Sequence, residues 1–572
     1  MDSLFGDTFD IDIKKPKTKS LLDKIKNEET TGADAARIIK SKTLDLEDKL
    51  KLIKERVYKV LGKQVNNVIT IRDYKTFGDY IDKAIKVGRI AVDTETNNSL
   101  DPVTCKIMGL CLYVPGEKQA YIPVNHINNK TNRKLENQIT EEQIKEQLQR
   151  IKDNKVFVVM HNGKFDYEVI HCTCHIDLLP DWDTMIAARL INENEPAGLK
   201  WQYTHYIDPS QEKYNIEELF AHIEYARVAP EIFAIYSATD SYETDKLYLY
   251  QKPYLEAPEQ KKLYWVFKNI EMKVLPVTAN MELTGCAIDF PYAERLKKKY
   301  SCQLEAVDKE IAQELINLKP KIEQWKLTPE ANAKTKTYVS AKTSMTREKI
   351  EAMYPNIDEE GKRYKIGKAK VDQLEDPINM ASPSQLAILF YDILKVPAVS
   401  RKSPRATGEE ELTAIAEKNP DLTICNLLLK RRGLMKILTT YVEAIPELAK
   451  HWPDRRVRAH QNQLGTDTGR YSSGGKVSFF ENGESVTVSG CNTQNIPSGS
   501  PDIRLMFRAT YNEDEIEIKN NIVELPEITE IETVDGYKFG KDLKVNDVLV
   551  TDEGNVTIKN IDYNNKVYSI AV

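Results

Sequence analysis

Between Val68 and about Tyr250 the chain repeats one pattern: short apolar runs (RIAVDTE, IMGLCLYV, QAYIPV, KVFVVM) alternate with amphipathic segments. Runs of that length suit strands, and strands separated by helix-period segments pack as an α/β domain around a sheet. The flanks differ. Residues 1–65 are Lys-rich and polar, with one helical run, LDLEDKLKLIKERVYKVL, from Leu44 to Leu61. Beyond Tyr250, long charged helical segments such as YAERLKKKYSCQLEAVDKEIAQEL take over. KVSFFENGESVTVS, Lys476 to Ser489, predicts a hairpin turning at Asn482-Gly483. Past Arg508, short β-type runs punctuated by Asp535-Gly536, Glu553-Gly554 and Asn564-Asn565 predict a small β-rich segment. The expected divisions are a charged, partly helical extension (1–65), an α/β domain (66–252), a mainly helical domain (253–512) and a β-rich insertion or tail (513–572).

The stretch RIAVDTETNNSLDP ends the first apolar run with two carboxylates, Asp93 and Glu95, on one face of a strand. Two anions on one face cost free energy unless a cation sits between them. Chance alone supplies about 13 acid-x-acid triplets among 87 acids in 572 residues, so this triplet does not by itself make a site. Two other segments of the same region add acids. KVFVVMHNGKFDYEVI runs from a strand through His161-Asn162-Gly163 into a helix, which places Asp166 in its first turn, where it would also suit the helix dipole. EIFAIYSATDSYETDKLYLY reads as a helix with Phe233, Tyr236, Asp240 and Leu247 along one side. A lone Asp on a partly apolar face needs a partner, either a salt bridge or a metal.

In this order DTE, HNGKFD and YSATD resemble the three motifs of the DEDD exonucleases, tyrosine subtype, over about Val68 to Tyr250. The resemblance implies an RNase H-like fold in which Asp93, Glu95, Asp166 and Asp240 hold two divalent ions. Mg²⁺ or Mn²⁺ suits such hard carboxylate donors. It also implies two-metal phosphodiester hydrolysis that releases nucleoside monophosphates from a single-stranded DNA 3′ end, with Tyr236 aligning the nucleophile. Asn162 and Phe165 are candidates for holding the strand, and Phe165 is equally suited to the core.

The following segments NIEMKVLPVTANMELTGCAIDFPYAERL, SPSQLAILFYDILKVP and LLLKRRGLMKILTTYVEAIPEL resemble, in order, the thumb and early palm of family A DNA polymerases. The strongest matches are GTDTGRYSS at Gly465 to Ser473 and NTQNIPSGSPDIRLMFRA at Asn492 to Ala509. By that resemblance Thr468 and Arg470 lie against a primer-template duplex, Arg470 in the minor groove, where the N3 and O2 acceptors are common to every base pair. Gln494 and Asn495 contact the same region. After RLMFRA an Asp-bearing strand resembling DYSQIE is replaced by TYNEDEIEIKNNIVELPEITEIE, and no fingers Lys helix or HDE-type motif follows. The expectation is therefore a proofreading exonuclease and DNA-binding portion of a replicative polymerase that is incomplete in this chain and not expected to polymerise alone, with a second polypeptide carrying palm and fingers as a candidate partner. The absence of a preceding 5′-nuclease region, with the insertions, favours a bacteriophage enzyme working in a bacterial cytoplasm. Two other readings are a DNA-binding subunit of a split polymerase and a ribonuclease D-type RNA exonuclease; the latter leaves GTDTGRYSS and QNIP unexplained. ETVDGYKFGKDLKVNDVLVTDEGNVTIKNI resembles the small β fold of intein and Hedgehog-type modules, but Arg504 to Ala509 run on without a nucleophilic Cys or Ser.

Composition narrows the remaining classes. With 41% hydrophobic and 29% charged residues, no apolar stretch approaches the roughly 18 residues of a membrane span. The eight cysteines form no CxxC pair, as expected of a reducing compartment. A net charge of −6 leaves nucleic-acid binding open, because binding depends on local basic surface. HCTCH at His171 to His175 has zinc-type ligands, but adjacent side chains cannot converge on one ion, so packing at a helix end is expected. Lys430, Arg431 and Arg432 suit either duplex phosphates or a solvated face.

Overall fold

The apolar runs form the strands their period predicts. The computed structural model describes residues 45–210, 219–220, 223–339, 345–466, 468–481, 484–497 and 499–508, then segments 522–526, 530–533, 536–539, 543–544, 548–549, 556–558, 560–564 and 567–571. The start of the extension, the Asn482-Gly483 turn and residues 509–521, where the chain first departs from DYSQIE, lie outside the described residues.

Helix α1 (Leu46–Leu61) starts where the Asp45 carboxylate accepts the Asp48 N–H. After it come β1 (Val68–Thr70), α2 (Tyr74–Val87), β2 (Arg89–Thr96), β3 (Ile107–Tyr113) and β4 (Gln119–Pro123). Then follow α3 (Glu141–Asp153), β5 (Phe157–Met160), α4 (Gly163–Cys174), β6 (Trp182–Asp183), α5 (Thr184–Ile191), α6 (Leu199–Tyr206) and α7 (Pro230–Leu255). The six strands form one sheet in the order β1-β4-β3-β2-β5-β6. β2, β3 and β4 pair antiparallel, whereas β5 and β6 join β2 in parallel. That arrangement is the one expected of an RNase H-like domain.

Side-chain alternation fills both faces of the sheet. Ile90, Val92, Leu110, Leu112 and Ile122 pack with Phe77, Leu148 and Val169 from α2, α3 and α4. On the other face Cys111 and Tyr121 meet α1 and α7 through Ile53, Val57, Phe233 and Tyr236. α7 is buried along most of its length, which a helix crossing a sheet face requires.

The next part is mainly helical, as expected: α8 (Met272–Thr284) packs its Leu275 with Trp182 and Phe267, while α9 (Phe290–Lys326) and α10 (Thr423–Lys436) flank a core that includes Val307, Ile311, Phe390, Leu412 and Ile424. It also holds a small sheet of Lys334–Tyr338, Arg363–Ala369 and Asn356–Ile357. Its charged, exposed strands carry no apolar alternation to reveal them. Short strands β7 (Gln461–Asn462) and β8 (Ser472–Ser473) pair antiparallel and bracket most of GTDTGRYSS, and β9 (Lys476–Glu481) pairs with β10 (Glu484–Ser489) as the expected hairpin. Phe507–Val572 form a separate unit whose described strands build two antiparallel sheets. All eight cysteines are free thiols, and among the described residues no helix is long and apolar enough to cross a membrane.

Candidate active site

β2 delivers the first two acids. Ala91 packs on the face that meets Trp182 and Tyr248, and Asp93 and Glu95 continue that face to the strand end. Antiparallel pairing sets Cys111 of β3 opposite Asp93, and one ligand atom from each of Asp93, Glu95 and Cys111 lies within 4.8 Å of the others. Gly109, opposite Glu95, leaves room for Tyr121: a Cβ there would lie 2.3 Å from the ring.

The turn into α4 delivers the third acid. Asn162 adopts φ 60°, and Gly163 is required because a Cβ would come within 2.7 Å of Met160 Cβ. Buried Asp183 accepts the N–H groups of Asn162 (3.2 Å), Gly163 (2.7 Å), Met185 (2.8 Å) and Ile186 (3.1 Å), so one carboxylate serves the starts of both α4 and α5. Asp166 then falls in the first turn of α4, buried, its Oδ1 accepting the N–H of Thr94 at 2.9 Å and its hydroxyl at 2.7 Å.

α7 delivers Tyr236 and, one turn later, Asp240. Lys200 of α6 pairs with Asp240, stands 3.1 Å from the fully buried Glu243 carboxylate, and lies 5.7 Å from the centre of the Tyr236 ring.

Electrostatics show how close these groups are. Burial, then the charges of Asp166, Glu95 and Asp240, push the Asp93 carboxyl well above its usual range, against the pull of Lys200. Glu95 is raised likewise by burial and by Asp240. Asp166 is pushed up to about 7 by burial, although both Thr94 donors oppose the shift. A buried carboxylate (Asp166) with three half-buried ones (Asp93, Glu95, Asp240) that repel one another offers a hard-oxygen donor set, which fits a divalent cation. Burial, then Asp93 and Glu95, raises the Cys111 thiol.

Asp93, Glu95, Asp166, Tyr236 and Asp240 are thus drawn into one region from three elements. Asn162 and Phe165 instead open onto a cavity of about 270 Å³ shared with Leu100, Trp452, His460 and Lys476, and Phe165 also packs on the core. Thr468, Arg470, Gln494 and Asn495 are exposed. Gln494 Nε2 donates to the Tyr471 carbonyl at 2.8 Å, which brings the two signature strings side by side, and the Asn495 carbonyl accepts from Tyr441. Arg431 bonds Asp308 and Arg432 bonds the Thr407 carbonyl, so both already have internal partners. His175 caps α4 in the left-handed conformation and His171 pairs with Asp177; among the described residues, the HCTCH cysteines and histidines form no metal-holding group. Sequence reasoning missed Lys200, Thr94 and Cys111. Thr94 sits inside DTE, whereas nothing local marks the other two.

Residues 68–255 match the family model described as 3′-5′ exonuclease, and residues 347–476 match DNA polymerase family A. DNA polymerase I of Treponema pallidum (strain Nichols) is 25% identical over 492 residues, covering 78% of this chain and 40% of that protein. The thermostable DNA polymerase I of Thermus aquaticus is 25% identical over 259 residues, 45% of this chain and 22% of that one. A solved structure, the POL domain of Pol1 from M. smegmatis in complex with DNA primer-template and dNTP, aligns with TM-score 0.50 at 15% identity, over 77% of this chain and 57% of that one. The chain spans 40% or less of the length of the DNA polymerase I relatives it matches.

The sheet, the acid cluster and the first match define a 3′-5′ exonuclease domain, a type that uses divalent metal ions. It is joined on the same chain to a segment that matches DNA polymerase family A, so the chain is similar to DNA polymerase I in both parts.

Proposed function

We propose that this chain is the proofreading exonuclease and duplex-holding portion of a DNA polymerase used in replication, and that it removes nucleoside monophosphates from a DNA 3′ end. The observation that carries the reading is that Asp93 and Glu95 lie together at the end of β2, Asp166 is bonded to Thr94 between them, and Asp240 raises both of their carboxyls from α7, one turn after Tyr236.

In this reading those four carboxylates hold two divalent ions, Mg²⁺ or Mn²⁺. Such ions lower the pKa of bound water and neutralise charge on a leaving oxygen. The chain's own residues do the rest. Thr94 fixes the rotamer of Asp166 by two hydrogen bonds. The Tyr236 hydroxyl orients the attacking water, and its ring is held by packing against Phe220 and Phe233. Lys200 balances charge at Asp240 and Glu243. Asn162 and Phe165 hold the strand beside the cavity they line. Thr468, Arg470, Gln494 and Asn495 meet the primer-template duplex.

Cytoplasmic action, a bacteriophage source and a second polypeptide bearing palm and fingers are further parts of the proposal. The test is to offer single-stranded DNA and RNA of one sequence with Mg²⁺. Preferential shortening of the DNA supports the reading, preferential shortening of the RNA moves it to a ribonuclease D type, and tight DNA binding without shortening leaves a binding subunit.

A further inference from the structure

The elements that hold the exonuclease acids are tied to the polymerase-like part. After β2, the Leu100 N–H donates to the Ser478 carbonyl at 2.9 Å, the Ser99 hydroxyl to the same oxygen at 3.0 Å, and the Trp452 indole to Asp101 at 2.9 Å. α4 is tied more directly. Lys164, two residues before Asp166, sends its ammonium to Glu282 of α8 and to the Gln461 carbonyl, the latter at 2.8 Å. The Gln461 N–H donates back to Glu282 Oε1 at 2.6 Å, and His460 Nδ1 lies 3.2 Å from Oε2. The Lys164 and Glu282 side chains are only 10% and 8% exposed.

α8 reaches the same hairpin a second time. Four residues before Glu282, on the same helix face, Thr278 Oγ1 lies 2.7 Å from the Tyr471 hydroxyl. Gln461 begins β7 and Tyr471 immediately precedes β8, so the contacts grip both ends of the segment that carries Thr468 and Arg470. One face of α8 therefore joins the helix of Asp166 to the root of the duplex-facing hairpin.

A buried Lys–Glu pair adds little net stability over well-packed apolar residues, but it fixes direction and register. We propose that Glu282 is a positioning residue of the exonuclease: through Lys164 it sets the placement of α4, and so of the Asp166 carboxylate, from the root of the hairpin bearing Arg470. The inference rests on the exonuclease reading above. It means that the exonuclease centre is assembled partly by residues outside its own domain.

Glu282→Gln keeps an acceptor for the Gln461 N–H and removes the charge facing Lys164. In the full chain, kcat on a single-stranded oligonucleotide should fall at least tenfold with KM within twofold, and calorimetric Mn²⁺ affinity without DNA should fall at least fivefold. Lys164→Met should give the same losses, and the double variant no more than either single, as two members of one unit require. Lys164→Met with Glu282→Met removes both charges but also the partners of the Gln461 N–H and of the buried Glu168 carboxyl; the losses in kcat and Mn²⁺ affinity should be the same in all three variants whatever their melting temperatures, which separates positioning from stability. Glu282→Gln with kcat and Mn²⁺ affinity within twofold of wild type, or losses that multiply in the double variant, overturns the proposal. In either case an active wild type and an inactive Asp93→Ala leave the exonuclease reading standing, whereas an inactive wild type sinks that reading itself.

Discussion

Thr94 binds Asp166 with both of its donors, the backbone N–H at 2.9 Å and the hydroxyl at 2.7 Å, and both meet the same carboxylate oxygen. The middle residue of DTE therefore orients an acid 72 positions away while its neighbours supply two more. Hydrogen bonds to a buried carboxylate are among the stronger kind, worth about 1.5–3 kcal/mol. Thr94→Val deletes one and leaves the N–H in place. Single-turnover hydrolysis of a DNA strand should slow about tenfold, the equivalent of about 1.4 kcal/mol, with KM little changed.

Divalent cations should stabilise the folded chain, because they bind the gathered carboxylates and find no such site in the unfolded chain. At a hundredfold excess over Kd the gain is about 2.7 kcal/mol, or about 5–11 °C in melting temperature for a domain of this size. Differential scanning fluorimetry with and without Mn²⁺ measures it. Asp93→Ala should abolish the shift.

His126 predicts a pH dependence unrelated to the acids. Its Nδ1–H donates to the Val228 carbonyl at 2.9 Å and its Nε2 accepts from the Tyr121 hydroxyl at 2.7 Å, so the folded ring is neutral. Burial, only partly offset by the Val228 carbonyl, lowers its pKa from 6.5 to about 4. The unfolded chain takes a proton near 6.5 and the folded chain does not until about 4. Stability is therefore complete above 6.5 and declines as pH falls to 4, by about 3 kcal/mol in all. Urea titrations from pH 7 to 4 on wild type and His126→Asn should differ by that decline, because the raised Asp93, Glu95 and Asp166 carboxyls, which shift stability the opposite way, are common to both.

Arg470 is exposed and its backbone is braced by Thr466, whose hydroxyl bonds both the Arg470 N–H and carbonyl at 3.0 Å. A guanidinium presented on a fixed turn suits minor-groove acceptors. Arg470→Ala should weaken primer-template binding about tenfold, similarly for all sequences, as measured by fluorescence anisotropy at fixed salt.

Much of this site was legible because it is built from local periods. The alternation of β2 places Asp93 and Glu95 on one face, the Asn162-Gly163 turn starts α4, and the helical period of α7 stacks Tyr236 on Asp240. What was not legible depends on register and packing between distant segments. Cys111 reaches the acids only because β3 pairs with β2 in one register, and Lys200 meets Asp240 from a separate helix. Lys164 lies 118 residues from Glu282 and 297 from Gln461, a separation across which no pattern in the chain signals contact. The charged strands of 334–369 went unread for a different reason: their residues are mostly charged or polar and only partly buried, so they carry no apolar alternation.

The convergence of four carboxylates is tested most directly by the rate at which 5′-labelled single-stranded DNA shortens with Mg²⁺, for wild type, Asp93→Ala and Asp240→Ala. The wild type should trim one nucleotide at a time from the 3′ end, and each substitution, or chelation of the metal, should slow trimming at least a thousandfold. Trimming that persists in Asp93→Ala, or a wild type inert with both Mg²⁺ and Mn²⁺, would contradict the account.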